Sequence, residues 1–517
     1  MTGVDSATND ARQLVTRALS VILCTFTLVQ VNYPILAPQP QLAVFALLGL
    51  VICFLNVPIH PTLKDHPLAR ASDILLAVLA TICCSWIIVQ NERLFETFWL
   101  DGSSLGNRAG FETTADIIVG AAGLLLIIEA ARRSLGLALP ILSSLFLVYA
   151  YVGPYMPDWL FPHRGYSVER IVAQTFLQAQ GTFGVALSVM FTYVFLFVIF
   201  GAFLAATGAT RFIIDFAQSM FGASPGGPAK VAVLSSGLMG SLSGSAVANT
   251  ATTGTFTIPM MRSAGFKATT AAGIQAAASS GGALMPPVMG AGAYMMLEIV
   301  DPPVTYLQII RAALIPAILY YLSLFLITHF HARGSTRAQT SSAQPAEQTR
   351  PLAESHMEGL VFATALGTLI VLLILGYTPF RAVSSALLAI IAVGALNPRT
   401  RLSVGAIARA FVKSSRDVIS LVAASASVGI IIGIVTLTGI GTRLPATILP
   451  LAEQSLFLAL VLIMVLIGFY QPLAEPWEQQ YSGDVEMTPW LYAKPFGLAL
   501  VGMVLLIYAI FADFSVL

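Results

Sequence analysis

Apolar residues run through this chain in blocks of about 20, the length that a helix needs to cross a hydrocarbon core of about 30 Å. Short polar segments separate the blocks. The pattern predicts membrane-spanning helices and argues against a β-barrel, whose strands would give shorter segments of alternating hydrophobicity. The predicted spans are residues 19–36, 41–58, 73–90, 115–131, 136–153, 185–207, 312–330, 358–377, 381–396, 418–440, 455–470 and 491–513.

Residues 229–300 depart from this pattern, because they supply shorter apolar pieces crowded with Gly, Ala, Ser and Thr. Small residues let helices approach closely, and two consecutive prolines, Pro286 and Pro287, interrupt any helix there. Broken backbone at membrane depth is tolerated only where protein buries it or where it lines a cavity. We therefore predict a helical hairpin at 229–262 and a discontinuous helix at 268–300.

Composition agrees with an integral membrane protein. Hydrophobic residues make up 57% of the chain and charged residues 10%, against about 25% charged in soluble proteins. The mean hydropathy is +0.83. A net charge of +1 gives no general attraction to nucleic acid. The four cysteines lie in apolar runs without metal-site spacing and are expected to be small core residues; they are Cys24, Cys53, Cys83 and Cys84.

The positive charges predict the orientation. Most Lys and Arg outside the spans fall on one side if every run crosses once and 229–262 enters and returns; they lie at 12–17, 64–70, 132–133, 211–230, 262–267, 333–350 and 399–416. That side is cytoplasmic, because positive residues are retained there. The N-terminus and the polar segment 331–357, a linker of disordered composition, are then both cytoplasmic. Residues 167–180 are too polar to span and are expected to form an interfacial or re-entrant helix.

Acidic residues do not cluster as catalysis would need, so we expect no enzyme activity, and a membrane enzyme ranks behind the other functions. Asp116 and Asp215 lie near span edges, which favours a helix-capping role over a functional one. Glu129 and Arg133 are spaced i,i+4 and are expected to form an interfacial salt bridge.

The strongest candidate site is uncharged. Backbone carbonyls at helix breaks, together with Ser, Thr and Asn oxygens, can hold a sodium ion, and half-helix N-termini suit a carboxylate substrate. The alternative is a tightly packed helix interface without a ligand. The candidate ion-binding residues are Ser241, Ser243, Gly244, Asn249, Ser279, Gly282 and Met285, and the candidate substrate-binding residues are Ser245, Thr250, Thr253, Pro286 and Pro287. Apart from the sodium ion, no metal or cofactor is expected.

The blocks GSLSGSAVANTATTGTFTIPMM and AAASSGGALMPPVMGAGAYMM resemble the membrane component of tripartite ATP-independent periplasmic (TRAP) transporters. IIEAARRSLGLALPILSSLFLVYAYVGPYMP upstream and LVAASASVGIIIGIVTLTGIGTRL downstream are similar as well. The resemblance covers roughly residues 115–470. It is greatest to the TAXI class, in which the small and large membrane subunits are fused, and residues 1–110 resemble the small-subunit portion.

The resemblance implies an elevator-type secondary transporter of the bacterial inner membrane, with a scaffold and a moving domain. It implies coupling to an ion gradient, usually sodium, although a proton remains possible from sequence alone. An extracytoplasmic binding protein would deliver a small organic acid to the permease. The chain divides into N-terminal helices at 1–155, a first transport half at 156–330, the linker at 331–357 and a second half at 358–517.

The chain departs from the family pattern after Gly468. There it reads FYQPLAEPWEQQYSGDVEMTPW, without the signals of a second hairpin. We therefore expect an incomplete second half and an open groove beside Met285–Pro287. The competing function is a degenerate or truncated, non-transporting member of the family, and this chain alone is not expected to catalyse coupled uptake.

Overall fold

The computed structural model describes residues 2–60, 62, 66–157, 161–300, 302–334 and 356–443, and the side chains from Arg12 onwards. Within these ranges the regular elements are all helices. They are α1 Thr2–Asn32, α2 Pro38–Asn56, α3 Pro67–Asn91, α4 Thr114–Leu135, α5 Ala138–Val152, α6 Val168–Val172, α7 Val185–Ala206, α8 Ala209–Phe221, α9 Gly227–Ser243, α10 Ala246–Ser263, α11 Ala268–Ser280, α12 Ala291–Ile299, α13 Tyr306–Gly334, α14 His356–Ile374, α15 Pro379–Gly394 and α16 Val404–Thr438.

Nine helices in the described part of the chain are long and apolar enough to cross a membrane. They confirm the predicted class, an all-α polytopic membrane protein. The predicted span at 381–396 corresponds to α15, which is shorter than the other nine. The predicted spans at 455–470 and 491–513 lie outside the described residues.

Several helices are longer than their apolar runs; α1, for example, begins at Thr2 rather than at 19. α16 begins at Val404 rather than 418, because its first turns are amphipathic and carry charged residues whose long side chains can reach water. α13 continues to Gly334, so the predicted linker starts later than His331. The residues between this helix and α14 lie outside the described ranges.

The predicted interfacial segment at 167–180 is only briefly α-helical. Ser167 caps α6 by accepting a hydrogen bond from the backbone N–H of Arg170. The helix then widens into a π-helical turn, Ala173–Leu177, and ends at Gln178. The remaining residues up to Gly184 form a buried loop, apart from the exposed Ala179 and Gln180.

Close contacts divide the described chain into two compact units. One contains the residues up to Phe191 and those from Ser415 onwards, and the other contains 192–414. The second unit therefore includes the predicted hairpin and the predicted discontinuous helix. The division into functional halves that the sequence suggests stays a prediction.

Charged residues of the first unit pair inside the helix bundle. The fully buried Arg133 on α4 donates to Asp73 on α3 at 2.6 Å and to Glu129 at 2.7 Å. Arg132 also binds Glu129, at 2.7 Å, and Arg12 lies 3.5 Å from Asp73. Buried charges are costly unless they are paired. The predicted Glu129–Arg133 salt bridge is confirmed, and it belongs to a network that joins three helices.

Asp116 caps the start of α4, as predicted. Its carboxylate completes a capping box with Thr113. It also accepts two hydrogen bonds from the buried Arg108, at 3.0 and 3.1 Å, and one from Trp86 at 2.9 Å. The corresponding prediction for Asp215 is wrong, because that residue lies in the interior of α8.

The small-residue run on α16 packs against bare backbone of the first unit. A Cβ added at Gly429 would lie 2.6 Å from the carbonyl oxygen of Gly181, and one added at Gly433 would lie 3.2 Å from the Gly181 Cα. Contacts this close leave no room for a side chain. Within the described residues, this part of α16 therefore serves as a packing surface.

All four cysteines are buried in the first unit and none forms a disulfide, which confirms their expected place in the core.

Helix contacts in the second unit also rely on small side chains. Ala229 and Ala232 of α9 pack with Met261 of α10, with Phe266 in the connection that follows, and with Ala271 of α11 in one buried cluster. Short side chains here allow α9, α10 and α11 to approach closely.

Candidate functional site

The helices α9 and α10 form a tight hairpin. Gly244 ends α9 in the left-handed region, with φ of +59°, which a glycine adopts without strain. Ser245 then begins α10, and its hydroxyl accepts a hydrogen bond from the backbone N–H of Ala248. This turn, Gly244 and Ser245, is the hairpin tip, and it places the carbonyl end of α9 beside the N–H end of α10.

The helix α11 breaks where the double proline predicts. It ends at Ser280, continues as a 3₁₀ turn over Gly281–Ala283, and the chain becomes helical again only at Ala291. The Gly290 N–H donates to the Ala283 carbonyl at 2.8 Å and closes the irregular segment. The segment from Gly281 to Gly290 is called the break, and its residues 284–290 form a compact, non-helical connection in the second unit.

Aromatic residues hold both sides of this break. Tyr306 donates to the Pro287 carbonyl at 2.7 Å, and Tyr294 donates to the Val288 carbonyl. The rings of Tyr294 and Tyr306 stack with centroids 5.1 Å apart. Two further tyrosines of α13 donate to the last carbonyls of α11, and these are Tyr320 to Ala277 at 2.7 Å and Tyr321 to Ala278 at 2.9 Å.

The tip of the hairpin lies directly against the break, backbone to backbone. A Cβ added at Gly240 would lie 2.3 Å from the Gly282 Cα. A Cβ at Gly244 would lie only 1.7 Å from the Met289 carbonyl oxygen, and a Cβ at Gly282 would lie 2.9 Å from the Asn249 amide nitrogen. Glycine at these positions lets the main chain of the tip approach the main chain of the break closely.

Behind the tip, six buried polar side chains form one hydrogen-bonded cluster, the hairpin cluster. Its members come from α9, α10 and α11, and each is fully shielded from solvent. Gln275 contacts four of the other five members. The members are Ser236, Asn249, Thr253, Thr257, Gln275 and Ser279.

The structure brings some of the predicted residues together. Asn249, Thr253 and Ser279 belong to the hairpin cluster. Gly244 and Gly282 lie at the contact between the tip and the break. The prediction that the two sequence blocks meet in one place is consistent with this geometry, while the roles of the individual residues stay predictions.

Other predicted residues use their polar groups locally. Ser241 donates to the Leu238 carbonyl at 2.7 Å, and Thr250 donates to the Ala246 carbonyl at 2.9 Å, each within its own helix. Ser245 serves as the N-cap of α10. These three hydroxyls nevertheless keep lone pairs that could bind a ligand.

Ser243 is different from the other predicted serines. It is the last residue of α9, and its hydroxyl is buried without a hydrogen-bond partner among the residues that the structure describes. Buried hydroxyls normally form a hydrogen bond, so a function such as ligand binding would explain why this one does not.

Three further predicted residues lie in the break. Met285 and Pro286 are half-buried, and Pro287 is buried. An open groove beside them stays a prediction, because residues 471–490 lie outside the described ranges.

Sequence reasoning missed three members of the hairpin cluster, Ser236, Thr257 and Gln275. A signal was present on α10, where Asn249, Thr253 and Thr257 recur at intervals of four and so share one helix face. Gln275 and Ser279 show the same spacing on α11. The four tyrosines beside the break gave no comparable signal, since isolated aromatics are common in apolar helices.

The hairpin cluster is neutral, and so is the tip. Among the described residues, no group of three or more His, Cys, Asp and Glu side chains could hold a metal ion. Hydroxyl, amide and backbone carbonyl oxygens instead suit a hard monovalent cation, and half-helix ends suit an anionic group. The groups in this region are therefore of the kind that can bind an ion reversibly.

Comparison with known proteins points to one family. A family profile described as "Tripartite ATP-independent periplasmic transporter, DctM component" matches residues 122–470, about two thirds of the chain. That range includes the hairpin, the break and most of the predicted transport region.

Individual relatives match shorter stretches. The 2,3-diketo-L-gulonate TRAP transporter large permease protein YiaN of Escherichia coli is 39% identical over 117 residues, 23% of this chain and 25% of the relative. The C4-dicarboxylate TRAP transporter large permease protein DctM of Pseudomonas aeruginosa is 32% identical over 137 residues, 26% of this chain and 31% of the relative. The isethionate TRAP transporter permease protein DctMQ of Oleidesulfovibrio alaskensis is 36% identical over 91 residues, 18% and 14% of the two chains. The matches thus span under a third of each relative's length.

Proposed function

The chain belongs to the DctM family of tripartite ATP-independent periplasmic transporters, and we propose that it is a sodium-coupled permease for a small organic acid. In this proposal an extracytoplasmic binding protein delivers the acid, and the bilayer of the bacterial inner membrane surrounds the permease. The proposal also includes membership of the TAXI class, with the small-subunit portion fused at residues 1–110.

One observation carries the ion coupling. The buried hydroxyl of Ser243, without a partner among the described residues, lies next to the glycine that seats the hairpin tip on the break. A cation at this point would be bound by the Ser243 hydroxyl. It could also be bound by oxygens of the hairpin tip and of the break. We propose Asn249 as a further oxygen ligand; its Oδ1 lies 3.3 Å from the Thr253 hydroxyl, and its amide nitrogen packs against Gly282 of the break.

The substrate class is supported by chemistry and by the relatives. The N-terminal end of α10 at the hairpin tip presents partial positive charge, which favours an anionic group. The names of the three relatives give a diketo-gulonate, C4-dicarboxylates and isethionate, all small organic anions. We therefore propose an anion of this size and charge for this chain.

Uptake by the reconstituted full chain decides between this proposal and the competing expectation from the sequence, that the chain lacks a second hairpin and alone does not catalyse coupled uptake. Proteoliposomes with the cognate binding protein should accumulate a radiolabelled organic acid when sodium is imposed outside. Accumulation should fall to background without the binding protein, or when choline replaces sodium. Equal uptake under all three conditions would contradict the proposal, and no uptake under any condition would favour the degenerate alternative.

The orientation gives a separate prediction. Cysteines introduced at Ser6 or Ser341 into the otherwise unmodified chain should react with a membrane-impermeant maleimide only from the cytoplasmic side, because the flanking Lys and Arg residues are retained there. Residue 341 lies outside the described ranges, and the side chain of Ser6 is not described.

Asn107→Cys, in the exposed loop after α3, is the matched control and should react only from the outside. The four native cysteines are buried, which limits background reaction. Labelling of Ser6→Cys or Ser341→Cys in intact cells would reverse the orientation.

A further inference from the structure

Gln275 links all three helices of the hairpin cluster through a single amide group. Its Nε2 lies 3.1 Å from the Ser236 hydroxyl on α9, 2.7 Å from Thr253 on α10 and 2.9 Å from Ser279 on its own helix. Its Oε1 accepts from the Thr257 hydroxyl at 2.6 Å. The side chain is therefore fixed at both ends of its amide.

A chain of hydrogen bonds leads from Gln275 to Asn249, which lies in the first turn of α10 after the hairpin tip. Thr253, which accepts from Gln275, lies 2.8 Å from the Asn249 carbonyl oxygen and 3.3 Å from its Oδ1. The other end of the Asn249 amide donates to the Ser236 carbonyl at 2.8 Å. Both ends of the Asn249 amide are thus held, and its Oδ1 is turned away from the Ser236 carbonyl.

A buried amide at position 275 costs desolvation energy that an apolar side chain of similar size would avoid. The hydrogen bonds offset that cost only if the three helices keep their present register. The Gln275 amide therefore favours the present register of α9, α10 and α11 over other registers in which the three helices would pack equally well. Asn249 contacts Gly282 directly, so that arrangement also fixes the geometry at the break.

We propose that Gln275 is a positioning residue, which aligns Asn249 through Thr253 as a cation ligand at the hairpin tip. This inference rests on the proposed sodium-coupled function. Gln275 itself does not touch the ion. Its removal should weaken sodium binding because Asn249 loses its preferred orientation, and a defect in packing alone would not do this.

A double-mutant cycle tests the inference on the purified full chain, with sodium chloride titrated against choline chloride. Gln275→Met and Thr253→Val should each raise the sodium Kd about fivefold, the effect of one lost hydrogen bond of about 1 kcal/mol. The double variant should be no weaker than either single variant, because both residues belong to one relay. Thr255→Val is the matched control; its exposed hydroxyl bonds only to the Thr252 carbonyl, and its Kd should not change.

Several outcomes would overturn the inference. An unchanged Kd in Gln275→Met with a lower melting temperature would show a purely structural role. Kd effects that multiply in the double variant would show that Gln275 acts independently of Thr253. If Gln275→Met does not fold, Thr257→Val removes the hydroxyl that holds the Gln275 Oε1, and it should raise the Kd about threefold. Absence of sodium binding in the unmodified chain would instead refute the proposed function.

Discussion

Gly244→Ala is expected to disrupt the packing of the hairpin tip against the break and therefore to abolish ion-coupled uptake. A Cβ at this position would lie 1.7 Å from the Met289 carbonyl oxygen, far inside any van der Waals contact. The backbone also has φ of +59°, where a non-glycine residue is strained. Relief would require the tip to move away from the break, so we expect a loss of more than about 3 kcal/mol in folding free energy.

Thermal unfolding in detergent and uptake in proteoliposomes measure this effect. Gly273→Ala is the matched control, because this glycine is an exposed residue inside α11 and a Cβ there meets nothing within 4 Å. Alanine at that helix position should stabilise by about 0.5–1 kcal/mol and leave uptake intact. A Gly244→Ala protein with normal melting temperature and normal uptake would show that the tip does not pack on the break as described.

Ser243→Ala should have the opposite profile, a normal fold with weakened sodium binding. Its hydroxyl makes no hydrogen bond to the described residues, so its removal should change the sodium-free melting temperature very little. Loss of one oxygen ligand should raise the sodium Kd about tenfold, equivalent to about 1.4 kcal/mol. The sodium-dependent rise in melting temperature would shrink accordingly.

Comparison with two other variants makes the result interpretable. Ser263→Ala removes an exposed hydroxyl that bonds only to the Met260 carbonyl, and it should match the unmodified chain in both measurements. Asn249→Ala should weaken sodium binding but also destabilise the fold, by about 1–3 kcal/mol, because the buried hydrogen bond from the Asn249 amide to the Ser236 carbonyl is lost. If Ser243→Ala shows an unchanged sodium shift, the partnerless hydroxyl is not an ion ligand.

Local chemistry was sufficient to predict most of the helices. Apolar length identifies the spans, and the double proline at 286–287 fixes the position of the break, because each of these signals acts within a few residues. Gly244 followed by Ser245 could likewise be recognised as a C-cap and an N-cap in succession. Predictions were weaker at helix ends, as for Val404 on α16, where amphipathic turns continue a helix beyond its apolar run.

The sequence by itself thus determined that this protein is a helical membrane protein, and it placed the hairpin and the break. Only the tertiary structure decided which polar residues meet. Gln275, Ser236 and Thr257 are distant in sequence, and each pattern seen alone is also compatible with ordinary helix packing. The tip and the break are likewise joined by bare backbone at Gly240 and Gly282, a contact that no side-chain pattern encodes. Such contacts depend on the close approach of helices in three dimensions, which local sequence permits but does not specify.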